Sequence, residues 1–256
     1  MILAALLLAA VDASSADVVP QQSALQPAVA NRWSPASEYV TAGQDEPGYR
    51  SWIARQPARS LTVSAFHNYL NSAGVAYVVP TWQLLRTASD WQRCGAEPFD
   101  VPPVSEWANV VQTLRYVRDY VVPAIGPVEP VSAYRNPVLN RCAGGAANSV
   151  HQHLSAIDLV PLAPTGRDGL MTRLCPVHAV EGPRYAVGLG FYAKLRFHVD
   201  SWKFRTWGRN DEGALACARS YAVARAAQPS TATSSAAPIQ AASALAAAQV
   251  PLAPLK

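Results

Sequence analysis

Two histidines and an aspartate stand out as groups able to do chemistry together. His151 and Asp158 lie in the stretch SAYRNPVLNRCAGGAANSVHQHLSAID, Ser132 to Asp158, and His198 follows in a short echo, FHVD, Phe197 to Asp200. Two imidazoles and one carboxylate form a recurring ligand set for a zinc ion that keeps an open position. Zinc in such a site activates water and polarises a carbonyl as a Lewis acid. Spacing alone leaves another reading open, that of two ordinary, partly buried histidines and a turn aspartate.

The elements that would position these residues are short. The helical period of Trp107, Val110, Val111, Leu114, Val117 and Val121 predicts a helix over 105–122, ended by Pro123. A second helix is expected from Ser60 or Thr62, with Phe66, Tyr69 and Leu70 on one face and Gly74 as its stop. Strands are expected over 75–80, 128–133, 156–160 and 197–201; the last two carry Asp158 and His198. Helices followed by short strands, without regular β-α-β alternation, predict an α+β domain: a small antiparallel sheet flanked by helices, with the site on the sheet and an adjacent loop.

The letters around the three residues add a family. The frame Ser149-x-His151-x-x-x-x-Ala156-x-Asp158 resembles the Ser-x-His-x-x-Gly-x-Ala-x-Asp signature of the zinc D-alanyl-D-alanine carboxypeptidases. Ser132-Ala-Tyr-Arg-Asn-Pro137 is similar to that family's Ser-Gly-Tyr-Arg-Ser-Pro segment. The run from Gly188 to Trp207 resembles the region carrying the third ligand in murein-endopeptidase relatives. The resemblance covers roughly residues 60–210. It implies zinc held by His151, Asp158 and His198, and a peptidase acting on peptidoglycan stem peptides or their cross-links. It also implies substrate contacts from Arg135, whose guanidinium fork suits a carboxylate or carbonyl, and from Ser149 and Tyr134. Carboxypeptidase and endopeptidase readings both stay open.

Two departures from the family pattern matter. Leu154 replaces the glycine between the ligands. Leu195 stands three positions before His198, where several relatives carry an acidic general base. Asp200, two residues after His198 and on the same face of a strand, either orients His198 or serves as the base; Glu181 is a more distant candidate. The missing acid supports an alternative, a catalytically degenerate peptidoglycan-binding domain of the same fold. His153 reads as solvent-exposed, and His67 and His178 lie outside any motif.

The rest of the chain bounds the setting. It has 256 residues, half of them apolar, and a formal net charge of +4, enough for one good-sized domain with tails. Lys and Arg are scattered, so nucleic-acid binding is not indicated. MILAALLLAA, at 1–10, is too short to span a bilayer and reads as the core of a signal peptide over 1–16. Residues 17–59 read as a linker or irregular segment, 60–225 as the zinc carboxypeptidase-like domain, and 226–256, rich in Ala, Pro and Ser, as a disordered tail. Cys94, Cys142, Cys175 and Cys217 contain no Cys-x-x-Cys pair and predict two disulfides of undetermined connectivity. A periplasmic or secreted monomer, with no membrane span once the signal is removed, is the expectation.

Overall fold

A computed structural model describes residues 33–227. The signal-peptide reading and nearly all of the tail lie outside the described residues, and the compact unit begins at Ser34. The fold mixes helices with one five-stranded sheet: β1 (Val128–Ser132), β2 (Ala156–Pro161), β3 (Gly188–Phe191), β4 (Phe197–Asp200) and β5 (Arg205–Gly208), in the order β1-β2-β4-β3-β5. Neighbours are antiparallel except β3 and β5, which run parallel. The sheet is therefore mixed at one edge rather than wholly antiparallel.

Register divides the sheet into two chemically distinct faces. Ile157, Val199 and Leu189 pair across β2, β4 and β3, as do Leu159, Phe197 and Phe191. All six side chains are buried in the main hydrophobic core. The alternate positions form two rows on the opposite face. One runs Ser132, Asp158, His198, Gly190, Trp207; the other runs Ala156, Asp200, Gly188, Arg205. Period-two alternation thus sends the apolar residues inward and gathers the polar ones on a single surface.

Helices cover the apolar side. α1 (Glu46–Arg55) is capped by Asp45, whose side chain accepts from the Gly48 amide, and its Trp52 enters the core beside Phe99. Composition predicts an irregular 17–59, yet the second half of that stretch holds this helix. The anchor is one buried aromatic, which a reading based on Gln, Ala, Pro and Ser content passes over. α2 (Arg59–Ser72) buries Phe66 and Leu70 as its period predicts, and the chain turns at Gly74 with φ +73°.

Residues 75–80 form turns instead of the expected strand, although Val75 and Val79 are buried. Their β-branched side chains serve the core without a neighbouring strand to pair with. α3 (Asn109–Tyr116) continues past the expected stop. Pro123 lacks an amide hydrogen and would crowd the preceding turn; the helix widens into a π turn over Val117–Val121 and ends in α4 (Val122–Ile125). Gly126, at φ +84°, stops it.

α5 (Pro137–Cys142), α6 (Arg167–Glu181) and α7 (Glu212–Ala227) complete the described fold. Disulfides join Cys94 to Cys142 and Cys175 to Cys217. The second ties α6 to α7; the first ties the loop after Ser89 to the end of α5. No helix among the described residues is long and apolar enough to cross a membrane.

Candidate metal centre

Asp158 and His198 reach the site as cross-strand partners on β2 and β4, an arrangement that places side chains about 5 Å apart at their Cβ atoms. His151 arrives from a 3₁₀ turn, Val150–His153, just before β2. Two local features hold that turn. Asn136 caps α5 by accepting from the Leu139 amide, with Pro137 in the first helical turn, so the Tyr-Arg-Asn-Pro run is a helix start. The backbone then folds back, and the Arg135 amide donates to the His151 carbonyl at 3.1 Å.

Leu154 ends the turn in the left-handed region, φ 51° and ψ 21°, where a glycine would sit without penalty. Its side chain is fully buried in the core. This accounts for the departure from the family glycine: packing of an isobutyl group offsets a backbone penalty of about 1–2 kcal/mol.

The three side chains converge. His198 Nδ1 lies 3.0 Å from Asp158 Oδ1 and 3.1 Å from His151 Nε2, and His151 Nε2 lies 3.3 Å from the same Asp158 oxygen. All three residues are buried. The outward ring nitrogens have acceptor partners: His151 Nδ1 donates to the Ala133 carbonyl at 2.6 Å, and His198 Nε2 to Asp200 Oδ2 at 2.9 Å. That fixes the tautomers and leaves lone pairs on the two nitrogens that face each other and the carboxylate.

Three acceptors at such distances repel unless a cation lies among them. Tetrahedral zinc, with bonds of about 2.0–2.1 Å, separates its ligand atoms by about 3.3 Å. The donor set therefore fits a metal ion in both chemistry and span.

The electrostatics agree. Burial, with help from Arg135, pushes His151 down to about 4, so it is a neutral donor of a lone pair at neutral pH. Burial opposes charge on Asp158, but His151, His198 and Arg135 together outweigh it and hold the carboxylate well below its usual range. Burial likewise opposes charge on His198, yet its bonds to Asp158 and Asp200 prevail and raise it. A positive charge among these atoms is favoured.

Asp200 is fully buried and its acceptor capacity is heavily used. Oδ2 accepts from His198 and Arg205, and Oδ1 from the Trp202 amide and Arg205. Burial works against its ionisation, but these partners lower its pKa all the same. The glycines of the Gly188-Leu-Gly-Phe run now have a steric reason. A Cβ on Gly188 would fall 2.2 Å from Asp200 Oδ2, and one on Gly190 would fall 2.4 Å from the Trp207 ring. Trp207 in turn meets His198 edge to face, with centroids 4.8 Å apart.

A cavity of about 410 Å³ opens over the three residues, with Arg135, Ser149, Tyr192, Arg196 and Asp90 among those lining it. Arg135 Nη2 lies 3.3 Å from Asp158 Oδ2. Tyr134 is buried in the hydrophobic core beneath and does not line the cavity. Glu181 pairs with Arg184 at the end of α6, away from the cavity wall. His153 is exposed and stacks on Trp202.

Asp90, Tyr192, Arg196 and Trp207 join the site without having been candidates on sequence grounds. Tyr192, Arg196 and Trp207 carry a signal, since they sit in or at the end of the run resembling murein endopeptidases; Asp90 carries none. Burial pushes the Tyr192 hydroxyl well up, so it remains a hydrogen-bond donor.

Residues 84–186 match the family model described as Peptidase M15. The match takes in His151 and Asp158 and stops before His198, which the sheet register supplies. No curated protein and no solved structure matches the chain. Over that segment the chain is similar to the M15 peptidases, a family of zinc-dependent metallopeptidases, and its His-Asp-His group could hold a metal ion.

Proposed function

We propose that this protein is a zinc peptidase that hydrolyses D-Ala-containing bonds in peptidoglycan stem peptides or their cross-links, acting in the periplasm or outside the cell. The observation that carries the reading is the convergence of His151 Nε2, Asp158 Oδ1 and His198 Nδ1 beneath an open cavity. A zinc ion held by these three residues would supply Lewis acidity toward a peptide carbonyl and a lowered pKa for water.

The chain's own residues do the rest. Asp200 orients His198 and keeps its Nδ1 lone pair aimed inward. Arg135 and Ser149, on the cavity wall, contact the peptide, and Tyr134 supports them from the core. The Tyr192 hydroxyl donates to a carbonyl oxygen. Asp158 is taken up by the histidines and Arg135. Among the described residues lining the cavity, Asp90 is the remaining carboxylate, and we assign it the proton-accepting role that Leu195 cannot fill.

Leu195 also motivates a second reading, a domain that binds peptidoglycan without cleaving it. Incubating the zinc-loaded protein with purified muropeptides and weighing the products separates the two. Loss of one alanine marks a carboxypeptidase, and splitting of dimers marks an endopeptidase. Unchanged masses at saturating zinc support the binding domain. Under the peptidase reading Asp90→Asn lowers kcat by about 10²-fold or more with zinc content unchanged; an unaltered rate removes Asp90 from the mechanism.

A further inference from the structure

The cavity wall carries three arginines, and two of them are already neutralised. Arg135 pairs with Asp158, and Arg205 with Asp200 at 2.9 Å. The cavity's other carboxylate, Asp90, is paired with Arg93 at 2.9 Å. Arg196 has no carboxylate partner among the described residues, and its buried Nε has no hydrogen-bond acceptor.

What holds Arg196 is aromatic stacking. Its guanidinium lies over Tyr192 at 4.1 Å and over Tyr39 at 5.1 Å. Ring faces attract a guanidinium and restrain its plane without using its hydrogen-bonding edge.

The segment presenting it is tied down from outside the site. The Tyr192 amide donates to the Arg196 carbonyl at 3.1 Å, closing the β3–β4 hairpin. Tyr39 donates through its hydroxyl to the Ala193 carbonyl at 3.0 Å, and Lys194 pairs with Glu38 at 3.1 Å. Arg167, from the start of α6, donates to the Lys194 carbonyl at 2.9 Å. A cation thus stands rigidly at the wall of the metal cavity with its charge uncompensated. With Nε shut away, the terminal Nη groups are the part left to bind.

We propose that Arg196 is a specificity-determining residue that receives a carboxylate of the peptide substrate, separate from the contact made by Arg135. The proposal rests on the peptidase reading for the identity of the peptide. Its content is the carboxylate requirement. That carboxylate is either the free C-terminal group or a side-chain group of the stem peptide, and the chemistry of recognition is the same for both. Charge-assisted pairing with a planar, preorganised guanidinium supplies affinity because little side-chain freedom is lost on binding.

The test uses the full-length, zinc-loaded protein and its Arg196→Gln and Arg196→Lys variants, checked for equal zinc content and melting temperature. The probes are an N-acetylated stem pentapeptide ending in D-Ala-D-Ala, its C-terminal amide, and a form with its side-chain carboxylates amidated. Binding is measured by calorimetry and turnover by product formation. We expect Arg196→Gln to weaken binding of the free acid roughly 10- to 100-fold. Arg196→Lys should retain part of the affinity.

The loss should vanish for whichever amide lacks the engaged carboxylate, and that arm identifies the group. Equal losses on all three peptides, no loss on any, or no binding of the free acid to the wild type overturns the proposal. Because binding is read without turnover, Arg196-dependent binding with no cleavage would sink the peptidase reading alone. Cleavage indifferent to Arg196 would sink only this inference.

Discussion

Asp158 on β2 and His198 on β4 stand directly opposite each other in an antiparallel pair, forty residues apart in sequence, with Oδ1 and Nδ1 separated by 3.0 Å. His151 completes the group from a turn outside the sheet. Two of the three candidate ligand positions are therefore as rigid as the sheet itself, and the third depends on the turn ending at Leu154. Each of these supports can be removed separately.

Wild-type protein should hold about one zinc ion per chain, as three protein donors with an open position do. The His151→Ala, His198→Ala double variant should lose it, because a single carboxylate is left where three donors converged. Metal content of the purified proteins checks this, and equal content in both would reject the site.

Asp200 and Gly188 should report the same defect. Asp200→Asn takes the negative charge from the group that orients His198, and zinc affinity should fall about 10- to 100-fold. Saturating zinc should restore much of the rate. Gly188→Ala puts a methyl 2.2 Å from Asp200 Oδ2 and should weaken zinc binding similarly without touching a ligand. Competitive titration with a chromophoric chelator measures both. Intact affinity in Asp200→Asn would remove the orienting role.

Leu154→Gly restores the family residue and tests the exchange of strain for packing. Relief of the left-handed backbone is worth about 1–2 kcal/mol, whereas emptying a buried leucine site costs about 2–5 kcal/mol. Net destabilisation is expected, seen as a lower midpoint in urea. A variant more stable than wild type would show that the side chain packs poorly.

His178, outside the His-Asp-His group, sets a pH dependence of stability. Its ring is fully buried between Phe204 and Tyr221; Nε2 donates to the Val187 carbonyl and Nδ1 accepts from the Tyr221 hydroxyl. Burial pushes its pKa from 6.5 down to about 4. The unfolded chain binds a proton there at higher pH than the folded one. The stabilisation is thus complete above pH 6.5 and is lost as pH falls toward 4. The full contribution is roughly 3 kcal/mol. His151 titrates in the same window, so the difference between wild type and His178→Gln isolates this ring. Denaturant unfolding from pH 4 to 7 should show a shallower slope in the variant.

Much of the chemistry is legible in the linear order of residues. Ligand identity rests on residue type, and period two puts His198 and Asp200 on one face of any strand they occupy. The helical periods around Phe66 and Leu114 mark real helices, because apolar burial imposes its spacing locally. Where sequence and structure part, a distant partner decided the outcome. Residues 75–80 have strand-like composition but no neighbour to pair with, and Pro123 stops a helix only where the backbone cannot widen around it. The function of Gly188 and Gly190 is invisible until Asp200 and Trp207 are laid beside them.

Tertiary structure alone joined Cys94 to Cys142 and Cys175 to Cys217, and brought Asp90 and Arg196 to the same cavity as the histidines. A side chain's type is carried by its own residue. Which charge is left without a partner depends on every other group that folding brings within reach, and for Arg196 that became visible only once Asp90, Asp158 and Asp200 had each been matched to another arginine.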